Sequence, residues 1–355
     1  MKKIFYFLLI FIIASCSKES INNTIDEDNF IRAADMSYLP LIESENTIYY
    51  NSNNQPENAL LTLKNAGCNT IRIRLWKNPS DSHSGFNEVK ALSQRIKQAG
   101  MKVWLCIHYS DTWADPGSQT TPLEWQNLSF NDLKIAFQNY TSMVVGEIKP
   151  DIVQIGNEIN NGFMWPNGNL FSNESQFIEL LNIASTTIRN LSPETKIMLH
   201  YSGIDSNAVT FFDKISSVNY DYIGLSYYPI WHGIIINDVK LRIDNLGETF
   251  NKKVIIAETS YPFTLGYNDF TNNVLGLNSQ IISNYPASLN GQKDFLIALK
   301  NSIKQSNNGV GFCYWGTEWI AFRGPTSTNG SSWENQSLWD FNNESVPAIQ
   351  AFSKD

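Results

Sequence analysis

Two glutamates close apolar segments of this 355-residue chain in a way that invites chemistry. Asp151-Ile152-Val153-Gln154-Ile155-Gly156-Asn157-Glu158 ends in an Asn-Glu pair, and Lys253-Val254-Ile255-Ile256-Ala257-Glu258-Thr259-Ser260 carries a second Glu near its end. A charge at the end of an apolar strand is costly to bury unless it is paired or used. Alone, either Glu reads as a salt-bridged structural acid. Together, at matching positions of two strands, they form a carboxylate pair of the kind that acid-base and nucleophilic chemistry requires. Metal chemistry has no comparable support. The four His include no HxH or HExxH, and His108, His200 and His232 are scattered over three segments. No GxSxG elbow or P-loop occurs. Cys68, Cys106 and Cys313 lie far apart beside apolar residues, without CxxC spacing, and read as buried thiols.

The elements that must position the pair follow from periodicity. Short apolar runs occur at Phe30–Ser37, Asn69–Trp76, Met101–His108, Asp151–Glu158, Lys196–Tyr201, Tyr220–Tyr227, Lys253–Ser260 and Gly309–Trp315. Between them, Pro56–Ala66, Glu88–Ala99, Asp132–Ile148, Ser175–Leu191, Asp238–Phe250 and Asp294–Gln305 carry helical patterns, the first two closing on Gly67 and Gly100. Eight repeats of strand then helix, with no linker, predict a single (β/α)8 barrel over residues 30–355. The loops 110–129, 160–173, 262–292 and 316–343 follow strands, are long, and hold most of the loop Trp, Asn and Gly. In a barrel they form the rim at the C-terminal ends of the strands, where chemistry is found.

Composition narrows the partners. With 26 basic against 34 acidic residues, a net charge of −8 and no basic patch, nucleic acid is excluded as an expected partner. Ten Trp, 15 Tyr and 20 Phe exceed what a core needs and suggest a surface that stacks on sugar rings. At the N-terminus, Lys2 and Lys3 precede an uncharged run, Ile4–Ala14, of signal-peptide length. Ile13-Ala14-Ser15-Cys16 resembles the lipobox of bacterial lipoproteins. Residues 1–16 are therefore expected to be removed, Cys16 to carry lipid, and 17–29 to form a polar tether, giving an exported, membrane-anchored monomer.

His108-Tyr109-Ser110-Asp111-Thr112-Trp113-Ala114-Asp115-Pro116, Gly156-Asn157-Glu158-Ile159-Asn160, Ser226-Tyr227-Tyr228-Pro229 and Glu258-Thr259-Ser260-Tyr261-Pro262 resemble glycoside hydrolase family 53, the endo-β-1,4-galactanases. The resemblance runs from Ala34-Asp35-Met36-Ser37 to Ser332-Trp333-Glu334-Asn335. It implies a retaining double displacement on β-1,4-galactan without a catalytic cofactor, with Glu258 as nucleophile and Glu158 as acid/base. Such carboxyls lie about 5 to 5.5 Å apart. On this reading Arg74 and the Tyr227 hydroxyl keep Glu258 ionised, and Asn157 donates to the sugar 2-hydroxyl. Asp35, His108, Asp111, Trp231, Trp315 and Trp333 join Arg74, Asn157 and Tyr227 as expected substrate contacts. Trp113, Trp165 and Trp319 are further candidate platforms.

In one respect the chain departs from the family. Bacterial members often hold calcium after the seventh strand through an Asp-x-Asp-x-His-x-Asn pattern, whereas Tyr267-Asn268-Asp269-Phe270-Thr271-Asn272-Asn273 supplies one carboxylate, so no ion is expected. The alternatives are a retaining glycanase of the same clan acting on mannan, xylan or glucan, and a catalytically silent glycan-binding lipoprotein. The complete Glu pair argues against the second.

Overall fold

The computed structural model describes residues 29–354; the expected signal peptide, Cys16 and nearly all of the tether lie outside them. Eight parallel strands close a barrel in chain order: β1 (Ile31–Asp35), β2 (Thr70–Leu75), β3 (Lys102–Ile107), β4 (Ile152–Ile155), β5 (Lys196–Ser202), β6 (Tyr222–Ser226), β7 (Lys253–Thr259) and β8 (Gly309–Tyr314). Each falls inside or within one residue of its expected run. These strands are buried on both faces, and that is why they read as continuous apolar runs. In β3, Val103, Leu105 and Ile107 face the helices, while Trp104 and Cys106 turn inward.

The interior is layered. Ile31, Ala33, Trp104, Ile152, Met198, Ile255, Ala257 and Cys313 form an apolar plug. A polar network built on Asp35, Arg72, Gln154, His200 and Glu258 sits toward the C-terminal ends of the same strands. The plug supports that network from below, as barrel interiors commonly do.

The outer ring comprises α1 (Leu39–Ser44), α2 (Ala59–Ala66), α3 (Phe86–Gln98), α4 (Phe130–Ile148), α5 (Glu174–Leu191), α6 (Asn207–Lys214), α7 (Pro229–His232), α8 (Ile236–Phe250) and α9 (Leu289–Lys304). Pro56 lies outside α2, because the Asn58 side chain caps the Leu60 and Leu61 N–H groups and fixes the start there. α6 was not expected: eight residues are too few for the helical period to stand out. After β8 a 3₁₀ segment, Pro347–Phe352, takes the place of a long helix and stacks Phe352 on Phe312.

Candidate active site

Strict alternation along β7 would send Glu258 outward, since Ile255 and Ala257 face the interior plug and Ile256 faces the helices. A register shift against β6, between the Leu225/Ile256 and Ser226/Glu258 pairs, turns Glu258 inward. Irregularities of this kind re-aim side chains beside active sites. Once inside, Glu258 Oε1 accepts from Arg72 Nη2 at 2.8 Å and Oε2 from the Tyr228 hydroxyl at 3.0 Å. Arg72 also pairs with Asp35 at 2.7 Å and donates to Asn157 Oδ1 at 2.8 Å and Gln154 Oε1 at 3.2 Å.

These partners correct two expectations. The cation on Glu258 is Arg72, not Arg74. Both point into the barrel, but Arg74 lies one layer nearer the rim, where its guanidinium sits 4.1 Å from the Trp113 ring centre and 4.5 Å from that of Trp76, and bonds Ser84. The hydroxyl on Glu258 belongs to Tyr228, not Tyr227. Ser226 faces inward, so Tyr227 faces out, where it stacks near Phe295 and donates to the Gly233 carbonyl at 3.0 Å.

Glu158 reaches the same space from the turn after β4. Gly156 at φ +71° and Glu158 at φ +46° both adopt left-handed backbone, and the peptide N–H of Gly156 stays tied to the Ile107 carbonyl. A non-glycine residue in that region carries strain that functional sites often retain. Glu158 Oε1 accepts from the Ser226 hydroxyl at 2.5 Å, and Ser226 Oγ lies 3.0 Å from His200 Nε2. His200 Nδ1 accepts from Gln154 Nε2 at 3.0 Å, which leaves the ring proton on Nε2 to face Ser226. Sequence reasoning missed Arg72 as the partner, and gave His200, Ser226 and Gln154 no role in the site. Their available signal was polarity at inward positions of otherwise apolar strands.

Burial raises both carboxyls, and their mutual repulsion adds to the effect on Glu258. Arg72 and Tyr228 oppose the rise at Glu258. Glu158 has only hydroxyls and the more distant Arg72 to favour its anion. Arg72 and Tyr228 thus support the Glu258 anion more directly than hydroxyls support that of Glu158, while burial still carries the Glu258 carboxyl up to about 8. Burial also holds His108 and His200 well below their usual range, so both rings are neutral.

The two carboxyls open into a cleft of about 420 Å³ whose walls include Asn157, Trp113, Trp231, Trp315, Trp319 and Trp333. Asn157 Nδ2 donates one hydrogen to the Ala114 carbonyl at 2.9 Å and keeps another. Trp315 and Trp333 meet edge to face with ring centres 4.7 Å apart. Other expected contacts stand behind the wall. His108 Nδ1 accepts from Trp76 Nε1 and the Ala114 N–H, fixing the loop that presents Trp113. Asp111 accepts from the Asn78 and Leu123 N–H groups and joins two loops. Asp35 anchors Arg72, Arg74 supports Trp113, Tyr227 packs outside, and Trp165 is turned to the Asn161 carbonyl.

Among the described residues no three His, Cys, Asp or Glu side chains group as a metal site. The loop after β7 nevertheless has more charge than its own sequence suggests, because Glu334 arrives from beyond β8 beside Asp269. Asp269 Oδ2, Asn273 Oδ1 and Glu334 Oε2 are buried acceptors without hydrogen-bond partners. They are the oxygen donors a hard cation would use, and no catalytic step is routed through them.

Residues 31–352 match the family model described as Glycosyl hydrolase family 53. The chain belongs to that family. Within it, an endo-beta-1,4-galactanase of Bacillus subtilis (strain 168) is 31% identical, with 91% of this chain and 85% of the relative covered. An arabinogalactan endo-beta-1,4-galactanase of Cellvibrio japonicus (strain Ueda107) is 33% identical over 95% of this chain and 94% of its own length. The solved GH53 catalytic domain of Ignisphaera aggregans superposes with a TM-score of 0.87 at 34% identity, covering 92% of this chain and 96% of that one. The family 53 barrel and its rim are thus shared over almost the whole described chain.

Proposed function

We propose that this family 53 protein is a retaining endo-β-1,4-galactanase that cuts galactan chains within the cleft between Glu158 and Glu258. The observation that carries the reading is the unequal support of the two acids on one wall: a guanidinium and a phenol on Glu258, a serine hydroxyl on Glu158. Glu258 attacks the anomeric carbon while Glu158 gives its proton to the departing glycosidic oxygen. The glycosyl ester removes the charge at Glu258, the Glu158 pKa falls, and Glu158 then accepts a proton from the water that cleaves the ester. Asn157 donates its remaining N–H to the 2-hydroxyl, and Trp315 and Trp333 stack on sugar faces. The chemistry needs no cofactor. Family relatives named as galactanases support galactan as the polymer. A neutral substrate also suits an acidic chain of net charge −8, since no steering by charge is needed.

The same proposal includes export and lipid attachment at Cys16, as a monomer. It is supported by the lipobox-like Ile13-Ala14-Ser15-Cys16 behind a basic start. Reducing ends should appear on galactan and not on arabinan, mannan or cellulose, and the first anomer seen by NMR should be β. An α anomer at early times refutes retention. Cys16→Ala should move the protein from the membrane fraction to the soluble one; unchanged membrane retention removes the lipid from the reading.

A further inference from the structure

Ser226 holds Glu158, and the chain of hydrogen bonds behind Ser226 runs in one direction. It starts at Gln154 of β4, which is fully buried. The Gln154 Oε1 atom lies 3.2 Å from Arg72 Nε and 3.2 Å from Trp104 Nε1, and both of these can only donate. The amide oxygen therefore faces them, and Nε2 faces His200. His200 Nδ1 lies 3.0 Å from that amide nitrogen and 3.4 Å from the Glu158 backbone nitrogen, which are again obligate donors. Nδ1 is an acceptor, so the proton of the neutral ring sits on Nε2, 3.0 Å from Ser226 Oγ. Since that nitrogen cannot accept, the Ser226 hydrogen has one acceptor, Glu158 Oε1 at 2.5 Å. We propose that Gln154, His200 and Ser226 are positioning residues that keep Glu158 Oε1 an acceptor throughout, so that Oε2 alone delivers the catalytic proton and takes it back. This rests on the hydrolase reading above.

A proton on Oε1 would have to point at Ser226, whose own hydrogen would then lose its acceptor, because His200 fills the hydroxyl's other contact. Gln154, His200 and Ser226 are all fully buried. No solvent reaches them to rearrange the chain, and a buried donor without an acceptor is costly. Glu158 itself is half-buried and lines the cleft, which leaves Oε2 as the oxygen a substrate meets. In the first step the Oε2 proton passes to the departing glycosidic oxygen as Glu258 forms the glycosyl ester. In the second, a water oxygen takes the anomeric carbon, the ester bond to Glu258 breaks, and the water's proton goes to Oε2. Ser226 keeps its own hydrogen in both steps, so the relay orients the acid and transfers nothing. The other charged or titrating groups around Glu158 are Arg72 of β2, Asp115 after β3, Tyr228 and His232 after β6, and Glu258 of β7, with Ser202 at the end of β5 as a second hydroxyl. None of these bonds the Ser226 hydroxyl.

Two measurements test the relay. The chain has four His, so the His200 signals in a ¹⁵N-histidine NMR spectrum can be assigned by their loss in His200→Gln. They should show the neutral Nε2–H tautomer from pH 5 to pH 8. An Nδ1–H tautomer or a charged ring in that range overturns the wiring, and this readout does not depend on activity. The second measurement uses Ser226→Ala, which removes a donor to the Glu158 anion and frees Oε1 to hold the proton. The basic limb of kcat/KM on β-1,4-galactan, which reports the acid, should move up by about one pH unit. At the optimum, kcat/KM on galactan should fall about fivefold, a fraction of what general acid help contributes. On 2,4-dinitrophenyl β-1,4-galactobioside, whose leaving group needs no proton, it should stay within about twofold of wild type. A basic limb that stays in place or moves down, or an equal loss on both substrates, overturns the positioning role. A wild type inert on both substrates defeats the hydrolase reading itself, and the tautomer measurement still decides the wiring.

Discussion

The charge on Glu258 is contested by its neighbours. Burial and Glu158 push the proton on; Arg72 at 2.8 Å and the Tyr228 hydroxyl at 3.0 Å push it off. Tyr228→Phe removes one donor to the anion and leaves the salt bridge. The nucleophile must be ionised to react, so the acidic limb of kcat/KM should move to higher pH, by on the order of one unit for a hydrogen bond to a charged group. A limb that stays in place or moves down would show that Tyr228 does not act on the nucleophile. Glu258→Ala should lower turnover on galactan by at least about 10⁴, because covalent catalysis is then lost rather than slowed. Residual activity within about tenfold of wild type would reassign the nucleophile. The two Glu were legible in the sequence because a charge terminating an apolar run is conspicuous. Their partners were not. Arg72 and Arg74 share a strand face, and only the tilt and stagger of the barrel decide which lies level with Glu258.

At the scale of elements, β7 and the turn after β4 both depart from ideal geometry where they deliver a carboxylate. The β7 irregularity makes Glu258 face inward against its alternation, and no residue type in Ile255-Ile256-Ala257-Glu258 announces it. The turn after β4 is more legible, since Gly156 precedes Asn157-Glu158 and supplies a left-handed residue where a Cβ would meet Ile159 Cγ2 at 2.5 Å. Gly156→Ala should therefore cost about 1–3 kcal/mol in stability and reduce kcat more than KM by displacing Glu158. Unchanged kcat in a folded variant would mean that the turn does not position the acid. All eight strands were readable because each lies in a largely apolar stretch between turn signals. α6, and the 3₁₀ segment that replaces an eighth outer helix, escaped because short elements are held by tertiary packing rather than by their own period.

For the whole molecule, the acids that fold inside it set the pH at which it is most stable. Glu318 is the clearest case. It is fully buried, its Oε1 accepts the Tyr38 N–H at 2.5 Å, and its Oε2 has no partner. Burial, then the charge of Asp35, raises it well above the usual carboxylate range, against weaker pulls from the backbone N–H groups of Glu318 and Tyr38 and from Arg74. Such a group binds a proton more tightly folded than unfolded. It costs nothing below the unfolded value of about 4.3, and it subtracts stability as pH rises from there through the folded value. Glu318→Gln keeps the acceptor for Tyr38 and cannot ionise. Its Tm should match wild type near pH 4 and exceed it increasingly from pH 5 to pH 8, with each kcal/mol recovered seen as roughly 2–4 °C. The difference between the two curves reports Glu318 together with its coupling to Asp35, because titrating sites that do not sense its charge cancel. A constant offset at all pH values would mean that the Glu318 carboxyl binds its proton equally well folded and unfolded, so that burial does not raise it. A variant less stable at pH 8 than at pH 4, relative to wild type, would reverse the sign of its contribution.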